Sequence, residues 1–460
     1  VIDMFTLLKS QLALLRPSEQ PDYILRFLIS QVEQGHLAAG YKLPSVRALS
    51  SQLQINYATV QKAYHQCKLA GVITSRPGKG SFISRRGIVE ALQSSHDLTS
   101  MNSPLSEHSE ELSLELKQQA ISSIYDYDFR TIFRYHSTLD NLDIRQTGLE
   151  WLGKKILQPS VNRILPCAGI HEGLLALFIL HQKKGTIALP QYFYSGLKSI
   201  VQLLTTPYVT IPCDEEGPLP DALAGLCEEK QISALYINPN INNPTTVTLS
   251  INRRLALAEV AKRYHLSIIE DDAYGALASQ GIATFSQILP SHTWYLQGLS
   301  KSFAPGMRMA WVYGPSEGET HQLCQVLAAL KVSDNPLTHQ IVNKWVMSGV
   351  AQRTAEETLK TTRVRVKLFR RLFPDDHYQI SDDGFHVWFS LGKRNAYEIA
   401  FLLQQAGISA TPSNEFSFEK NEESFLRISL SGYSSLAALE LALKKFRDVL
   451  NTLYIKQTQV

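Results

Sequence analysis

The stretch Leu299-Ser300-Lys301-Ser302-Phe303-Ala304-Pro305-Gly306-Met307-Arg308 decides the fold of most of this 460-residue chain. It follows Thr293 to Leu296, an apolar run that is typical of a buried strand. Lys301 comes soon after this strand, and Arg308 comes seven residues later. A lysine in a Ser-Lys-Ser loop is often only a surface residue. Whether Lys301 has a functional role must therefore be judged from the rest of the chain.

Short apolar runs alternate with helical stretches on both sides of Lys301, from about residue 126 onward. The runs are Thr186 to Leu189, Ile232 to Ile237, Leu266 to Glu270, Thr293 to Leu296 and Met309 to Tyr313. Such alternation predicts an α/β domain with a mainly parallel sheet. Strands near His386 to Ser390 and Leu426 to Ser429 then predict a small C-terminal α+β lobe over about residues 370–460.

Polar residues beside these runs match the needs of one cofactor. Asp271 ends a strand, Tyr274 follows three residues later, and Gly169 opens a helix. Pyridoxal 5′-phosphate needs a lysine for a Schiff base, a carboxylate at its ring nitrogen and a phenol near O3′. It also needs helix-start amides with an arginine at its phosphate, and an aromatic ring against its face. The candidates are, in that order, Lys301; Asp271; Tyr274; Gly169, Ile170, His171 and Arg308; and Tyr192. Each has an ordinary structural explanation, but their joint occurrence predicts a site for this cofactor.

Charge is unevenly distributed along the chain. The whole sequence has a net charge of only +3, yet Tyr23 to Arg86 holds nine basic residues and one acidic residue, a local charge of +8. The remaining residues include 36 basic and 41 acidic side chains, a net charge of −5. A basic module on an acidic body indicates that the module binds a polyanion.

The basic module has the pattern of three helices followed by a hairpin. Apolar spacing and caps predict helices over Tyr23 to Glu33, from Pro44 to Leu53, and over Tyr57 to Ala70. Two β-rich runs joined by Arg76-Pro77-Gly78-Lys79-Gly80 complete a winged helix-turn-helix. The candidates for base contacts are Asn56, Tyr57, Thr59, Gln61 and Lys62, and those for phosphate contacts are Arg47 and Lys79. A solvated basic surface is the simpler alternative for each of them alone.

These patterns divide the chain into three parts. Residues 1–84 form the predicted DNA-binding domain, residues 85–125 a serine-rich linker, and residues 126–460 the predicted cofactor-binding body. A disordered or membrane-spanning protein is excluded, since charged residues make up only 19% of the chain and the longest apolar run is Leu174 to Leu180. The five cysteines are scattered, which argues against a disulfide framework and a zinc site. With no signal-peptide pattern, we expect a cytoplasmic protein without a bound metal.

The segment from Gly40 to Ser84 resembles the DNA-binding domain of bacterial regulators of the GntR family. The family's motifs stand here as Leu43-Pro44-Ser45-Val46-Arg47, Thr59-Val60-Gln61-Lys62-Ala63-Tyr64 and Gly78-Lys79-Gly80-Ser81-Phe82. The resemblance implies that double-stranded operator DNA is contacted by Arg47, by the segment Asn56-Tyr57-Ala58-Thr59-Val60-Gln61-Lys62 and by the wing at Gly78.

From about Tyr135 onward the chain resembles fold-type I aminotransferases, and in particular the aminotransferase-like domain of MocR/GabR-type regulators. The resemblance rests on Asn243-Pro244-Thr245-Thr246 and on the short spacing from Lys301 to Arg308. It implies that Asn243 donates a hydrogen bond to O3′ of the cofactor and that Arg427 receives an effector carboxylate. It also implies a homodimer, in which Tyr135 reaches the phosphate of the neighbouring subunit.

We therefore expect a pyridoxal-phosphate-dependent transcriptional regulator. An amine or amino-acid effector is expected to displace Lys301 and form an external aldimine. Two alternatives stay open, namely a working aminotransferase with an accessory DNA-binding domain and a sensor of pyridoxal phosphate itself. Thr246 replaces the glycine of the family's motif and Gly298 replaces a hydroxyl residue, so we expect weak turnover or none.

Overall fold

The computed structural model describes residues 4–13, 15–17, 19–33, 37, 40–69, 72–76, 80–84, 96–101, 110–128, 130–131, 134–137, 141–278, 281–419 and 422–458. The predicted wing-tip residues Gly78 and Lys79 lie outside the described residues, as do 85–95 and 102–109 of the predicted linker. The chain divides into two compact units. The first consists of Val1–Asp97, Leu402–Ser409 and Tyr433–Val460, and the second of Leu98–Phe401 and Ala410–Gly432.

The N-terminal part of the first unit is a winged helix-turn-helix, as the sequence predicts. Its elements are α1 (Met4–Leu12), α2 (Gln20–Glu33), α3 (Val46–Leu53), α4 (Tyr57–Leu69), β1 (Ile73–Arg76) and β2 (Gly80–Ile83). β1 and β2 are antiparallel neighbours and form the wing. Leu28, Leu49, Val60 and Ile83 share one apolar core, so the helices and the wing pack together.

Polar side chains set the ends of α3 and α4. Ser45 begins α3 by accepting a hydrogen bond from the Ala48 N–H at 3.1 Å. Gln54 ends α3 in the left-handed region, with φ of 56°. Asn56 accepts from the Ala58 N–H at 2.8 Å at the start of α4. Local hydrogen bonds therefore define the turn of the helix-turn-helix.

The remaining elements form most of the second unit. In chain order they are β3 (His96–Asp97), α5 (Glu110–Asp126), α6 (Leu142–Leu152), β4 (Ile164–Cys167), α7 (Ile170–His181), β5 (Thr186–Pro190), α8 (Ser195–Leu204), β6 (Tyr208–Ile211), β7 (Cys213–Asp214), β8 (Gly217–Pro218), α9 (Pro220–Glu229), β9 (Ile232–Ile237), α10 (Ile251–Arg263), β10 (Ser267–Asp271), α11 (Phe285–Ile288), β11 (Thr293–Gly298), β12 (Ala310–Tyr313), α12 (Glu317–Leu330), α13 (Pro336–Met347), α14 (Val350–Leu372), β13 (Tyr378–Ile380), β14 (His386–Gly392), α15 (Ala396–Gln405), β15 (Ile408–Ser409), β16 (Thr411–Pro412), β17 (Ser424–Ser429) and α16 (Leu436–Thr458). β3, β15, α16 and the end of α15 belong to the first unit. None of the five cysteines forms a disulfide bond. Among the helices of the described ranges, none has the length and apolar character needed to cross a membrane.

The large sheet of the second unit has seven strands in the order β4-β12-β11-β10-β9-β5-β6. β12 is antiparallel to both of its neighbours, whereas the other adjacent pairs are parallel. Ile187, Leu235, Ile268 and Leu296 on four of its strands are fully buried. Strands that are covered on both faces read as continuous apolar runs, which is how they appear in the sequence. The predicted mainly parallel α/β sheet is confirmed.

A smaller sheet of the second unit has four antiparallel strands in the order β13-β14-β17-β16. In the register of β14 with β17, His386 lies opposite Ser429 and Trp388 lies opposite Arg427. Arg427 therefore projects from a central strand, which holds its backbone through hydrogen bonds on both sides. This sheet contains the strands that the sequence predicts near His386 and Leu426.

Helix α5 lies within the segment predicted to be a linker. Trp345 of α13 donates from Nε1 to the carbonyl oxygen of Leu116 at 3.0 Å, and Arg353 of α14 forms an ion pair with Glu115. Ile121 of the same helix is 66% exposed. Because α5 has this exposed apolar residue and serine-rich flanks, its packed face is hard to recognise in the sequence. α5 therefore packs against α13 and α14 of the second unit.

Candidate functional site

Polar residues lie where the parallel strands of the large sheet end. Asn238 follows β9, Asp271 ends β10 and Lys301 follows β11. The carboxyl ends of adjacent parallel strands meet at one edge of a sheet, where α/β proteins bind ligands. Asn238 donates from Nδ2 to the carbonyl oxygen of Asp271 at 2.5 Å, which joins two of these strand ends directly.

Asp271 is a buried carboxylate at this edge, with 3% of its surface exposed. Its Oδ2 accepts a hydrogen bond from the Tyr236 hydroxyl at 2.8 Å, whereas Oδ1 is buried and has no hydrogen-bond partner among the described residues. Burial raises the pKa of Asp271 to about 7, and the neighbouring Asp272 acts in the same direction. A buried oxygen without a partner is unfavourable. The protonated ring nitrogen of pyridoxal phosphate fits this position, because it would satisfy Oδ1 and stabilise the charged carboxylate.

Lys301 has a weakly basic amine for a lysine. Burial lowers the pKa of Lys301 to about 7, and the positive charge of Arg427 adds to this effect, against the negative charge of Asp271. A substantial fraction of the amine is therefore neutral near pH 7. Nζ donates a hydrogen bond to the carbonyl oxygen of Met101 at 2.7 Å. A neutral amine is the nucleophile that an aldehyde requires, so Lys301 is suited to a covalent bond with the cofactor.

The start of α7 forms a cradle beside Arg308. Gly169 caps the helix with φ of 89°, and Ile170 is its first helical residue. A Cβ atom at Gly169 would lie 2.5 Å from Nη2 of Arg308, which also donates to the carbonyl oxygen of Ala168 at 3.2 Å. Nδ1 of His171 is buried without a hydrogen-bond partner among the described residues. Helix-start amides, a guanidinium and an unused ring nitrogen together fit a phosphate.

Two tyrosines near the cradle have different surroundings. Tyr192, the predicted stacking residue, packs edge-on against Trp388 with ring centroids 5.2 Å apart, and both rings line a cavity of about 460 Å³. The ring of Tyr194, which no sequence motif singles out, lies 6.1 Å from that of His171. Burial raises the pKa of Tyr194, and the charge of Asp271 raises it further. The structure therefore brings Tyr194 to the cradle, whereas Tyr192 lines a cavity to which no cradle residue contributes.

Arg427 is a buried guanidinium, with 6% of its surface exposed. Nη1 donates to Oδ1 of Asn243 at 3.1 Å, and Nη2 donates to the carbonyl oxygen of Thr99 at 3.1 Å. Its guanidinium carbon lies 4.9 Å from the ring centroid of Phe416. Asn243, Thr99 and Phe416 are uncharged, and a guanidinium has the geometry to pair with a carboxylate through two nitrogens.

The segment 98–101 lies against both Lys301 and Arg427. Besides these two contacts, its carbonyl oxygens accept hydrogen bonds from the backbone N–H of Ser429 at 2.7 Å and from the hydroxyl of Ser431 at 3.1 Å. The hydroxyl of Ser429 also donates to one of them. The sequence gives no sign of this role, because the segment falls in the serine-rich stretch predicted to be a linker. Main-chain oxygens therefore hold both the predicted Schiff-base lysine and the predicted carboxylate receptor.

Tyr274 is buried against a histidine that no sequence motif singles out. Its hydroxyl lies 3.1 Å from Nδ1 of His386, whose Nε2 lies 3.1 Å from the carbonyl oxygen of Asn242. Tyr236 stands near the end of the apolar run of β9, and that position was its available signal, whereas His386 appeared only as the start of a strand. A residue at the carboxyl end of a parallel strand lies close to the residues that end the neighbouring strands, where ligands bind.

Tyr135 does not join this group of residues within the chain. Its side chain is 84% exposed. An exposed tyrosine is compatible with a contact to a neighbouring subunit, and that contact stays a prediction.

The helix-turn-helix has a buried face and an exposed face. Val60, Ala63 and Tyr64 of α4 are buried in the core. The exposed candidates are Arg47, Asn56, Tyr57, Ala58, Gln61 and Lys62, whereas Thr59 is half-buried. The exposed residues cluster at the leading end of α4, which is the end of a recognition helix that contacts bases in a major groove.

Comparisons with known proteins identify both parts of the chain. The sequence profile of "Aminotransferase class I and II" matches residues 98–446, and that of "Bacterial regulatory proteins, gntR family" matches residues 24–83. The first match covers most of the chain, so the protein belongs to the class I and II aminotransferase family, and it carries a GntR-type helix-turn-helix. Members of this family bind pyridoxal phosphate.

Similar proteins include regulators and enzymes. The uncharacterized HTH-type transcriptional regulator YdeF of Bacillus subtilis (strain 168) is 27% identical over 450 residues, 95% of this chain and 96% of its own length. The HTH-type pyridoxine biosynthesis transcriptional regulator PdxR of Corynebacterium glutamicum is 23% identical over 449 residues, 92% of this chain and 97% of its own. The crystal structure of LysN, an α-aminoadipate aminotransferase from Thermus thermophilus, covers 80% of this chain and 95% of its own with a TM-score of 0.71 and 19% identity. That likeness shows the fold-type I architecture.

Proposed function

We propose that the protein is a DNA-binding transcriptional regulator that senses an amine or amino-acid effector at its pyridoxal-phosphate site. The combination of a GntR-type helix-turn-helix with an aminotransferase-like body supports this function, and so do relatives of nearly equal length that are HTH-type regulators. The observation that carries the proposal is the contact of segment 98–101 with both Lys301 and Arg427.

The residues of the site have separate tasks toward the cofactor. Bound pyridoxal phosphate supplies an aldehyde that reacts reversibly with amines. Asp271 would hold the ring nitrogen through Oδ1, and Arg308 with the start of α7 would hold the phosphate. Lys301 supplies the protein's own amine, which competes with the amine of the effector. The carbonyl oxygen of Met101 would accept a hydrogen bond from the Lys301 amine whenever that amine is free.

An effector carboxylate competes with a main-chain oxygen for Arg427. A carboxylate that pairs with two guanidinium nitrogens binds more strongly than one neutral carbonyl oxygen, so its arrival releases Thr99. Segment 98–101 follows the winged helix-turn-helix in the sequence, and its release is the step that changes DNA affinity. Effector and DNA are then coupled by about 1–3 kcal/mol, about 5- to 150-fold in affinity, if the effector prefers one of the two arrangements.

A sensor of pyridoxal phosphate itself is the second candidate. The similarity to PdxR, which is named for pyridoxine biosynthesis, favours it. The burial of Arg427 favours a carboxylate-bearing effector, because a vitamin sensor needs no carboxylate receptor beside the lysine. Lys301 and Asp271 are needed in both functions and do not distinguish them.

The proposal is tested with cofactor-loaded protein and a DNA duplex that the protein selects from a random pool. Amines and amino acids are added one at a time, and cofactor absorbance and DNA affinity are measured on the same samples. We expect at least one compound to change both in the wild type, and a carboxylate-bearing one to lose its effect in Arg427→Gln. If every amine that changes the absorbance leaves DNA affinity unchanged, effector sensing is wrong.

Two further measurements separate the other functions. A change of DNA affinity on loading with pyridoxal phosphate alone, with no response to amines, would support the vitamin sensor. Sustained conversion of an amino acid and a keto-acid acceptor into a second keto acid would support a working aminotransferase.

A further inference from the structure

A series of polar contacts leads from the end of α12 to the phosphate cradle. Lys331 follows α12, and its Nζ lies 3.1 Å from Oε2 of Glu172, the third residue of α7. Oε2 of Glu172 also accepts a hydrogen bond from the Ala168 N–H at 2.6 Å. The carbonyl oxygen of Ala168 in turn accepts from Nη2 of Arg308 at 3.2 Å. The main chain of Ala168 therefore joins Lys331 and Glu172 to the arginine of the cradle.

Lys331 is paired with two carboxylates in a largely buried cluster. Its Nζ also lies 2.6 Å from Oδ1 of Asp334, whose side chain is 3% exposed. Burial lowers the pKa of Lys331, but the charges of Asp334 and Glu172 outweigh burial and raise its pKa above the ordinary value. The amine is therefore positively charged near pH 7. One positive and two negative groups give the cluster a net charge of −1.

The carboxylate of Glu172 belongs to the same helix turn as the amides of the cradle. The N–H groups of Ile170 and His171 are the first of α7 and have no acceptor within the helix, so they can hold a phosphate. A carboxylate on this turn repels a phosphate dianion, and a cation that pairs with the carboxylate reduces the repulsion. The affinity of the cradle for phosphate therefore depends on how well the charge of Glu172 is compensated.

We propose that Lys331 is a positioning residue of the phosphate cradle: it compensates the charge of Glu172, so that Glu172 holds the Ala168 N–H without repelling the phosphate of the cofactor. The inference rests on the proposed binding of that phosphate by Arg308 and the start of α7. Glu172 contributes an acceptor that fixes the main chain beside Arg308, and Lys331 offsets the charge that this acceptor brings. Lys331 acts through Glu172 and not through a contact of its own with the cofactor.

The test compares pyridoxal phosphate with pyridoxal, which has the same aldehyde and ring but no phosphate. Lys331→Met leaves Glu172 and Asp334 uncompensated, so we expect pyridoxal phosphate to bind about tenfold more weakly and pyridoxal to bind as before. Absorbance titration of the cofactor-free protein measures both affinities. Lys344→Met is the matched control, because Lys344 forms an exposed pair with Asp126 at 3.8 Å. Equal losses for the two compounds, or no loss for either, overturn the proposal.

Glu172→Gln changes the charge in the opposite direction. It keeps an oxygen that can accept from the Ala168 N–H, and pyridoxal phosphate should bind about tenfold more strongly while pyridoxal is unaffected. Combined with Lys331→Met, it restores the net charge of the wild-type cluster, so the affinity should return close to that of the wild type. A double variant as weak as Lys331→Met alone would contradict the proposal. If Lys331→Met does not fold, Glu172→Gln alone decides, and an unchanged ratio of the two affinities overturns the proposal.

Inorganic phosphate separates this inference from the attachment of the cofactor to the lysine. Its binding needs no aldehyde and no Lys301, so calorimetry with inorganic phosphate is carried out in the Lys301→Ala background. We expect tighter binding after Glu172→Gln and weaker binding after Lys331→Met. Equal binding in all variants would overturn the role of Lys331 and leave the attachment of the cofactor untouched. A lysine-bound absorbance that persists in Lys301→Ala would refute the attachment and leave the phosphate measurement valid.

Discussion

Arg47 and Arg427 are the same kind of side chain in opposite environments. Arg47 is exposed on α3 of the helix-turn-helix, whereas Arg427 is 6% exposed and bonded to segment 98–101. An exposed arginine attracts a polyanion through a field that salt screens, but a buried one recognises an anion through hydrogen-bond geometry. Net charge therefore identifies the DNA-binding part of this protein, and it gives no information on the predicted anion-binding groups in its acidic remainder.

The largest effect is expected at Lys301, which lies in the same buried site as Arg427. Lys301→Ala removes the amine that binds the cofactor aldehyde, so the absorbance of the lysine-bound cofactor should be lost completely. Borohydride should no longer fix the cofactor to the chain, which mass spectrometry of the digested protein checks. DNA binding by the helix-turn-helix should persist without effector. A reducible absorbance in the variant would refute the role of Lys301.

Asp271→Asn should weaken binding of pyridoxal phosphate about 100-fold. The reason is that loss of a buried charge partner costs about 2–5 kcal/mol. Absorbance titration of the cofactor-free protein measures the effect. Asp382→Asn is the matched control, because Asp382 forms an exposed ion pair with Arg370 and its loss should leave affinity unchanged. Equal affinities of wild type and Asp271→Asn would exclude a contact with the ring nitrogen.

Arg427→Gln should weaken carboxylate-bearing effectors about 30-fold, because it replaces a buried charged donor with a neutral one. Amines that lack a carboxylate serve as the internal control and should bind as before. The loss should change little with salt, as expected for a buried pair. A similar loss for both kinds of amine would mean that Arg427 only supports the fold.

Arg47→Ala should weaken DNA binding several-fold and reduce the slope of affinity against salt by about one ion. Anisotropy of a labelled duplex at several salt concentrations measures both quantities. Arg16→Ala is the control, since Arg16 lies in the first unit with 81% of its side chain exposed and pairs with Glu19. If the two variants behave alike, Arg47 does not contact a phosphate.

The smallest effect is expected from a histidine that belongs to neither the DNA-binding surface nor the cofactor site. Burial lowers the pKa of His181 to about 3, and neither ring nitrogen has a hydrogen-bond partner among the described residues. The unfolded chain therefore binds a proton below about pH 6.5 that the folded chain excludes, so stability falls as the pH falls. From about pH 7.5 to pH 6 the loss is about 1 kcal/mol, or about 1–2 °C in melting temperature. Calorimetry should show a smaller decrease for His181→Leu, and an equal decrease would contradict this assignment.

The sequence predicts those site residues that stand next to recognisable strands. Asp271 and Lys301 follow apolar runs, and the structure brings Lys301 into electrostatic contact with Asp271 and with Arg308 and Arg427. Their positions follow from the rule that parallel strands end at one edge of a sheet. The local sequence pattern was enough to predict the positions of Asp271 and Lys301, because each of them is placed by the strand that precedes it.

Residues that depend on long-range packing could not be predicted in this way. Thr99 and Arg427 are more than 300 positions apart, and no local pattern states that a main-chain oxygen of one will meet the side chain of the other. The choice between Tyr192 and Tyr194 likewise depends on how the turn before α8 is oriented. His386 appeared only as the start of a strand, since its partners Tyr274 and Asn242 come from distant loops.

If the proposed effector displaces Thr99 from Arg427, segment 98–101 also lowers the apparent affinity for that effector. Each hydrogen bond that the effector must replace is worth about 1 kcal/mol, about fivefold in apparent affinity. Under the proposed function, the resting chain would in this sense be its own weak competitive inhibitor. Ser429 and Ser431 hold the segment without belonging to the groups that recognise the effector. Under the proposed function, substitutions at these two serines would shift the effector concentration needed to change DNA affinity. They would leave the preference among effectors unchanged.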